Sequence, residues 1–154
     1  MQTTKKSAPK RLLGMILTLC MALALVPAFP LTASAAAPAN PAAGTTWDFT
    51  AVDADGSDTY GGGTWSWVQS TRTLTLAGVT HSTAAAPALL VPHNTTIVLS
   101  GTSTITSTYS SAGYAPGLAF EGGGSGGEAT ISGSGTLIVT GGDSTDGLSC
   151  GIYA

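Results

Sequence analysis

Ile97-Val98-Leu99-Ser100-Gly101, with Thr104-Ile105-Thr106 close behind it, is the stretch whose reading decides the fold. A short apolar strand runs into a small residue and a glycine, and a further short element follows. Leu74-Thr75-Leu76-Ala77-Gly78 precedes it with the same pattern, and Thr130-Ile131-Ser132-Gly133 repeats it afterwards. The last instance also repeats the second element, as Thr136-Leu137-Ile138-Val139-Thr140. Gly78, Gly101 and Gly133 stand 23 and 32 residues apart. Repetition at such intervals marks the stacked coils of a β-solenoid, in which each coil buries its apolar side against the next.

Working outward, three strand types recur. The first is Ala88-Leu89-Leu90-Val91, then Gly117-Leu118-Ala119-Phe120, then Gly151-Ile152-Tyr153-Ala154. The second is Thr96-Ile97-Val98-Leu99, matched by Ala129-Thr130-Ile131. The third is Ser103-Thr104-Ile105-Thr106, matched by Gly135-Thr136-Leu137-Ile138-Val139. Alternation sends Leu89 and Val91, Leu118 and Phe120, Ile97 and Leu99, and Leu137 and Val139 to one face. Stacked in parallel, those side chains form apolar columns inside the coil and leave Thr and Ser outside. No window carries a 3.6-residue apolar period after the leader, so the expected class is all-β.

The regular pattern occupies residues 81–154, about two coils and the start of a third. Residues 47–80 differ from it and are expected to form an N-terminal cap, with Trp65-Ser66-Trp67 and Leu74-Thr75-Leu76 as a hairpin closing the stack. Residues 36–46 begin as an Ala/Pro run, expected to act as an unpacked linker. Residues 1–35 read as a signal peptide: Lys5, Lys6, Lys10 and Arg11, an apolar stretch from Leu12 to Val26, helix-breaking Pro27 and Pro30, and Ala33-Ser34-Ala35 as a cleavage site. At the other end, Gly151-Ile152-Tyr153-Ala154 opens a coil and stops inside its first strand. The expectation is a chain truncated at its C-terminus, the front portion of a longer repeat protein.

Removal of the leader changes the charge balance. Arg72 is then the sole basic residue against eight acids, near −7. Nucleic acid and anionic membrane surfaces, both of which call for clustered Lys and Arg, are excluded as partners. Cations such as calcium and neutral glycans remain compatible. Cys150 is the one cysteine after the leader, so no internal disulfide forms, and it reads as a small apolar residue inside a coil.

The run from Trp65-Ser66-Trp67 through Leu74-Thr75-Leu76, Thr96 to Ile105 and Ser132-Gly133-Ser134-Gly135-Thr136-Leu137 to Gly151-Ile152-Tyr153-Ala154 resembles a known group. It is similar to the secreted, multi-repeat surface proteins of Gram-positive gut bacteria, whose repeats resemble the pectate-lyase-like right-handed β-helix. Some of those relatives are labelled carbohydrate-binding domain proteins. The resemblance covers roughly two thirds of the chain. It implies a right-handed parallel β-helix and a secreted or cell-surface setting, with wall association through sequence beyond Ala154. Polysaccharide or host-glycan contact is its further implication.

Candidate chemistry is thin. Polysaccharide lyases that look like this fold use several acids on calcium with an Arg or Lys, and Arg72 alone is available, in a turn. Glu121 and Glu128 bracket a glycine run too loose to hold a pair of hydrolytic carboxylates in register. His81 and His93 fall in stretches read as loops, without the partners of a nucleophilic triad. Asp53, Asp55 and Asp58, in Asp-Ala-Asp-Gly-Ser-Asp, offer alternating oxygens for calcium; a polar turn accounts for the same residues. Asp143 and Asp146 form a sparser version. Trp65 and Trp67 project to one side of a strand, which suits either a sugar-stacking platform or a buried cap; Trp47 poses the same choice. The functional expectation is an exported β-helix segment for adhesion or glycan contact, non-catalytic by itself. A structural stalk, or the N-terminal piece of a larger polysaccharide-degrading β-helix enzyme, is the alternative.

Overall fold

The computed structural model describes residues 36–121 and 128–154. The leader expected over residues 1–35 and the glycine run at 122–127 lie outside the described residues. What is described is all-β, twelve strands and one 3-10 turn in three sheets. The first half holds β1 (Trp47–Asp48), β2 (Gly56–Tyr60), β3 (Gly63–Val68), β4 (Thr73–Ala77), β5 (Thr80–Thr83) and β6 (Leu89–Val91). The second holds β7 (Thr96–Ser100), β8 (Thr102–Ser107), β9 (Ala115–Phe120), β10 (Thr130–Gly133), β11 (Thr136–Thr140) and β12 (Ser149–Tyr153).

Sheet one runs β1-β6-β9-β12, with every pair parallel. Sheet three runs β11-β8-β5, again parallel. Sheet two runs β10-β7-β4-β3-β2, parallel from β10 to β4 and antiparallel beyond. Parallel neighbours need long connections, and here each connection passes through the other sheets before returning. The expected columns are present. Leu89 pairs with Leu118 and Leu118 with Ile152, Val91 with Phe120, and Leu74 with Ile97 and Ile97 with Ile131. Leu74, Leu89, Ile97, Ile105 and Leu118 are fully buried and belong to one core cluster drawn from all three sheets.

The register differs from the glycine spacing in one place. Ala77 pairs with Ser100, which sets Gly78 beside Gly101 as expected. Gly133, however, pairs with Leu99, so the residue that follows Gly101 in the stack is Gly135. Thr130 on Thr96, Thr136 on Thr102 and Ser149 on Ala115 all share a step of 34 residues. The slip is of two residues, and a period of two keeps every side chain on its own face.

The cap also differs. Trp65 pairs with Leu76 and Trp67 with Leu74, the expected hairpin, but β2 adds a third antiparallel strand outside it. The parallel stack begins earlier than residue 81, because β1, β4 and β5 already pair in parallel with β6, β7 and β8. The Ala/Pro segment, expected to pack against nothing, is fastened to the cap. Trp47 donates its indole N–H to the Ala39 carbonyl at 3.0 Å, and Asn40 bridges Trp65 and Asp58 at 2.7 and 2.8 Å.

Polar groups that fall inward are satisfied. Ser103 Oγ accepts the Val79 N–H, Ser107 Oγ donates to the Ala85 carbonyl, and Thr95 Oγ1 donates to the Pro92 carbonyl. No buried side-chain nitrogen or oxygen among the described residues lacks a partner. An unpaired one would cost about 1–3 kcal/mol, a large part of a small domain's stability.

Candidate functional site: an aromatic cluster behind a hydroxyl face

Strands β2, β3 and β4 have two unlike faces because their side chains alternate. The inner face carries Trp65 and Trp67, 3% and 1% exposed, against Trp47 at 2%. Trp47 and Trp65 meet edge to face at 5.6 Å between centroids, and Phe49 lies 5.3 Å from Trp67. Each indole N–H is committed within the fold: Trp65 to Asn40 Oδ1 and Trp67 to Gln69 Oε1 at 2.8 Å. A sugar needs an open ring face to stack on, and these rings present none. Trp65 and Trp67 are buried with Trp47 and Phe49 in the core cluster.

The opposite face is rich in hydroxyls, with Val68 and Val98 set among them. Thr73, Thr96 and Thr130 stand in one row across β4, β7 and β10. Ser57, Ser66 and Thr75 form the next row across β2, β3 and β4, with Thr59 and Thr64 beside it. A shallow depression opens among Ser57, Thr59, Thr64, Ser66 and Thr75, with Asp58 and Trp65 completing its lining. No side chain in these rows carries charge. Methyl and hydroxyl groups spaced by strand separation, about 4.8 Å, give a flat, neutral hydrogen-bonding surface.

The acids do not converge. Among the described residues, no three of His, Cys, Asp and Glu gather in a metal-binding group. Asp55 Oδ1 accepts the Gln69 N–H at 2.8 Å, and Asp58 accepts from Asn40 and from the Thr59 N–H. Asp53 contributes only its own backbone N–H, to the Ala36 carbonyl. Asp53, Asp55 and Asp58 thus make separate contacts, with Ala36, with Gln69, and with Asn40 and Thr59. Asp146 Oδ1 accepts the Gly113 N–H at 2.8 Å.

Arg72 lies in the turn where it was expected, in the left-handed region at φ 49°, and donates to the His93 carbonyl at 3.0 Å. Glu128 donates its backbone N–H to Asn94 Oδ1, and Glu121 donates its own to the Val91 carbonyl. Cys150 is a free thiol, half-buried on β12.

His81 departs from its expected loop. It lies on β5, 2% exposed, in register with Ile105. Nε2 lies 3.1 Å from the Ala88 carbonyl and Nδ1 3.0 Å from the Tyr60 hydroxyl. A carbonyl only accepts, so Nε2 carries the proton and Nδ1 accepts from Tyr60. Burial holds this imidazole below its ordinary value of 6.5, and the hydrogen bond to Ala88 partly opposes that shift. Thr80-His81-Ser82-Thr83 carries too little apolar character for alternation to be seen in sequence. No family model, curated protein or solved structure matches the chain.

Proposed function

We propose that this chain is an exported segment of right-handed parallel β-helix that makes adhesive or glycan contacts and performs no catalysis by itself. The three parallel stacks around one core support the helical winding. The observation that carries the contact reading is the uncharged hydroxyl face of sheet two. Its chemistry suits a neutral polysaccharide or host glycan: donors and acceptors in rows, and no cation to select an anionic chain. On this reading Trp65 and Trp67 stiffen the face from behind instead of touching sugar. The burial of all three tryptophans favours one other role, a stalk that spaces neighbouring domains.

Retention on insoluble neutral polysaccharide or on mucin separates the two. Ser66→Arg and Thr75→Arg place bulk and charge on the face, and their expected effect is loss of retention at an unchanged thermal midpoint. Folded variants retained as well as wild type would remove the hydroxyl face from the account. A wild type retained on neither material would favour the stalk.

A further inference from the structure

We propose that His81 is a proton-operated latch: its neutral ring holds the antiparallel hairpin β2–β3 against the stack, and protonation lets that hairpin go. The inference stands apart from the glycan reading.

The ring sits where three sheets meet. It belongs to β5 in sheet three, accepts a hydrogen bond from the Tyr60 hydroxyl at the end of β2 in sheet two, and donates to the Ala88 carbonyl, just before β6 of sheet one. The same Ala88 carbonyl also accepts the Trp47 N–H at 2.9 Å. Trp47 packs on the His81 ring at 5.8 Å and Tyr60 at 5.7 Å. Three polypeptide segments are therefore joined through one imidazole.

Protonation undoes that arrangement in two ways. An imidazolium must donate from both nitrogens. Nε2–H keeps Ala88, but Nδ1–H then points at the Tyr60 oxygen, and the Tyr60 hydroxyl proton has to find another acceptor. Tyr60 is half-buried at the edge of sheet two, so solvent is reached by moving the end of β2 outward.

The second effect is the charge itself. The groups against the ring are the Tyr60 hydroxyl, the Ala88 carbonyl, the Trp47 indole and Ile105, and none is charged. The carboxylates on the adjoining elements are engaged elsewhere, Asp48 with Thr50 and Asp58 with Asn40 and Thr59. A buried cation without a counter-charge is disfavoured, and releasing the hairpin hydrates it.

The sign follows. The folded ring binds its proton less readily than the unfolded one. The latch is thus fully closed above 6.5 and weakens as pH falls from there through the lower folded value.

Amide exchange on the full chain tests this, read from about pH 7.5 to about pH 5 and corrected for intrinsic rates. In wild type, protection of β2 and β3 is expected to fall with pH, by up to about tenfold per pH unit for one proton, while β8 and β9 hold. His81→Gln should remove that slope. An equal slope in His81→Gln, or no slope in wild type, would overturn the latch. Should His81→Gln not fold, the ring carbon–proton shifts of wild type decide: titration in step with loss of β2–β3 protection supports the proposal, and titration at constant protection refutes it.

Discussion

A methyl group on Gly133 would collide with the Leu99 backbone carbonyl, and the residue holds a φ of +99° that side chains disfavour. Gly62 shares the left-handed geometry at +83° but has open space where a Cβ would go. The two positions separate conformational strain from steric overlap. Gly62→Ala is expected to lose about 1 kcal/mol in urea denaturation, the ordinary cost of a left-handed L-residue. Gly133→Ala should lose roughly twice that or more, because the Leu99 strand must also move. Trp67→Ala, which empties a site 1% exposed, should lose about 3–5 kcal/mol by the same measurement. Glycines were visible in the sequence as corners, but which of them stack was not. Gly133-Ser134-Gly135 offers two glycines with equal parity, and the register of Gly133 on Leu99 and Thr136 on Thr102 distinguishes them.

At the level of strands, burial falls along each column toward β10, β11 and β12. Leu118 is fully buried, whereas Ile152, its partner in register, is 45% exposed. Leu118→Ala is therefore expected to cost about 2–5 kcal/mol and Ile152→Ala about 1 kcal/mol or less, from equilibrium unfolding. Columns of this kind were legible because Leu89 and Val91, then Leu118 and Phe120, fall two residues apart in recurring short strands. The short or polar strands were not. β1 is two residues long, β2 reads Gly-Ser-Asp-Thr-Tyr, and β5 hides a histidine and a threonine on its inner face. Alternation puts Trp65 and Trp67 on one side of a strand, yet the side they face depends on packing with Trp47 and Phe49, which alternation alone does not specify. The dispersed carboxylates of Asp53, Asp55 and Asp58 carry their own prediction. Millimolar calcium and EDTA should leave the same thermal midpoint, since a cation raises it only by binding the folded state. A calcium-dependent rise would instead assign these three acids to a bound cation.

Among the described residues, the three sheets end in β12, β10 and β11, each with one edge that no described strand covers. Thr130–Gly133, Thr136–Thr140 and Ser149–Tyr153 contain no charged residue and no proline, the usual devices that keep an edge from pairing. Ile131 and Ile152 are 43% and 45% exposed there. Sedimentation should show mass rising with concentration, and Ile131→Lys with Ile152→Lys should return it to that of one chain. A constant wild-type mass would mean that the edges are protected in some other way.

The central claim is that distant strands lie side by side in parallel, so that the chain returns to the same three sheets. Nuclear Overhauser contacts between backbone protons test it most directly. The account predicts amide-to-α contacts linking Leu89 with Leu118 and Leu118 with Ile152, without close α-to-α contacts between them. Strong α-to-α contacts across those pairs would show antiparallel sheets and contradict it.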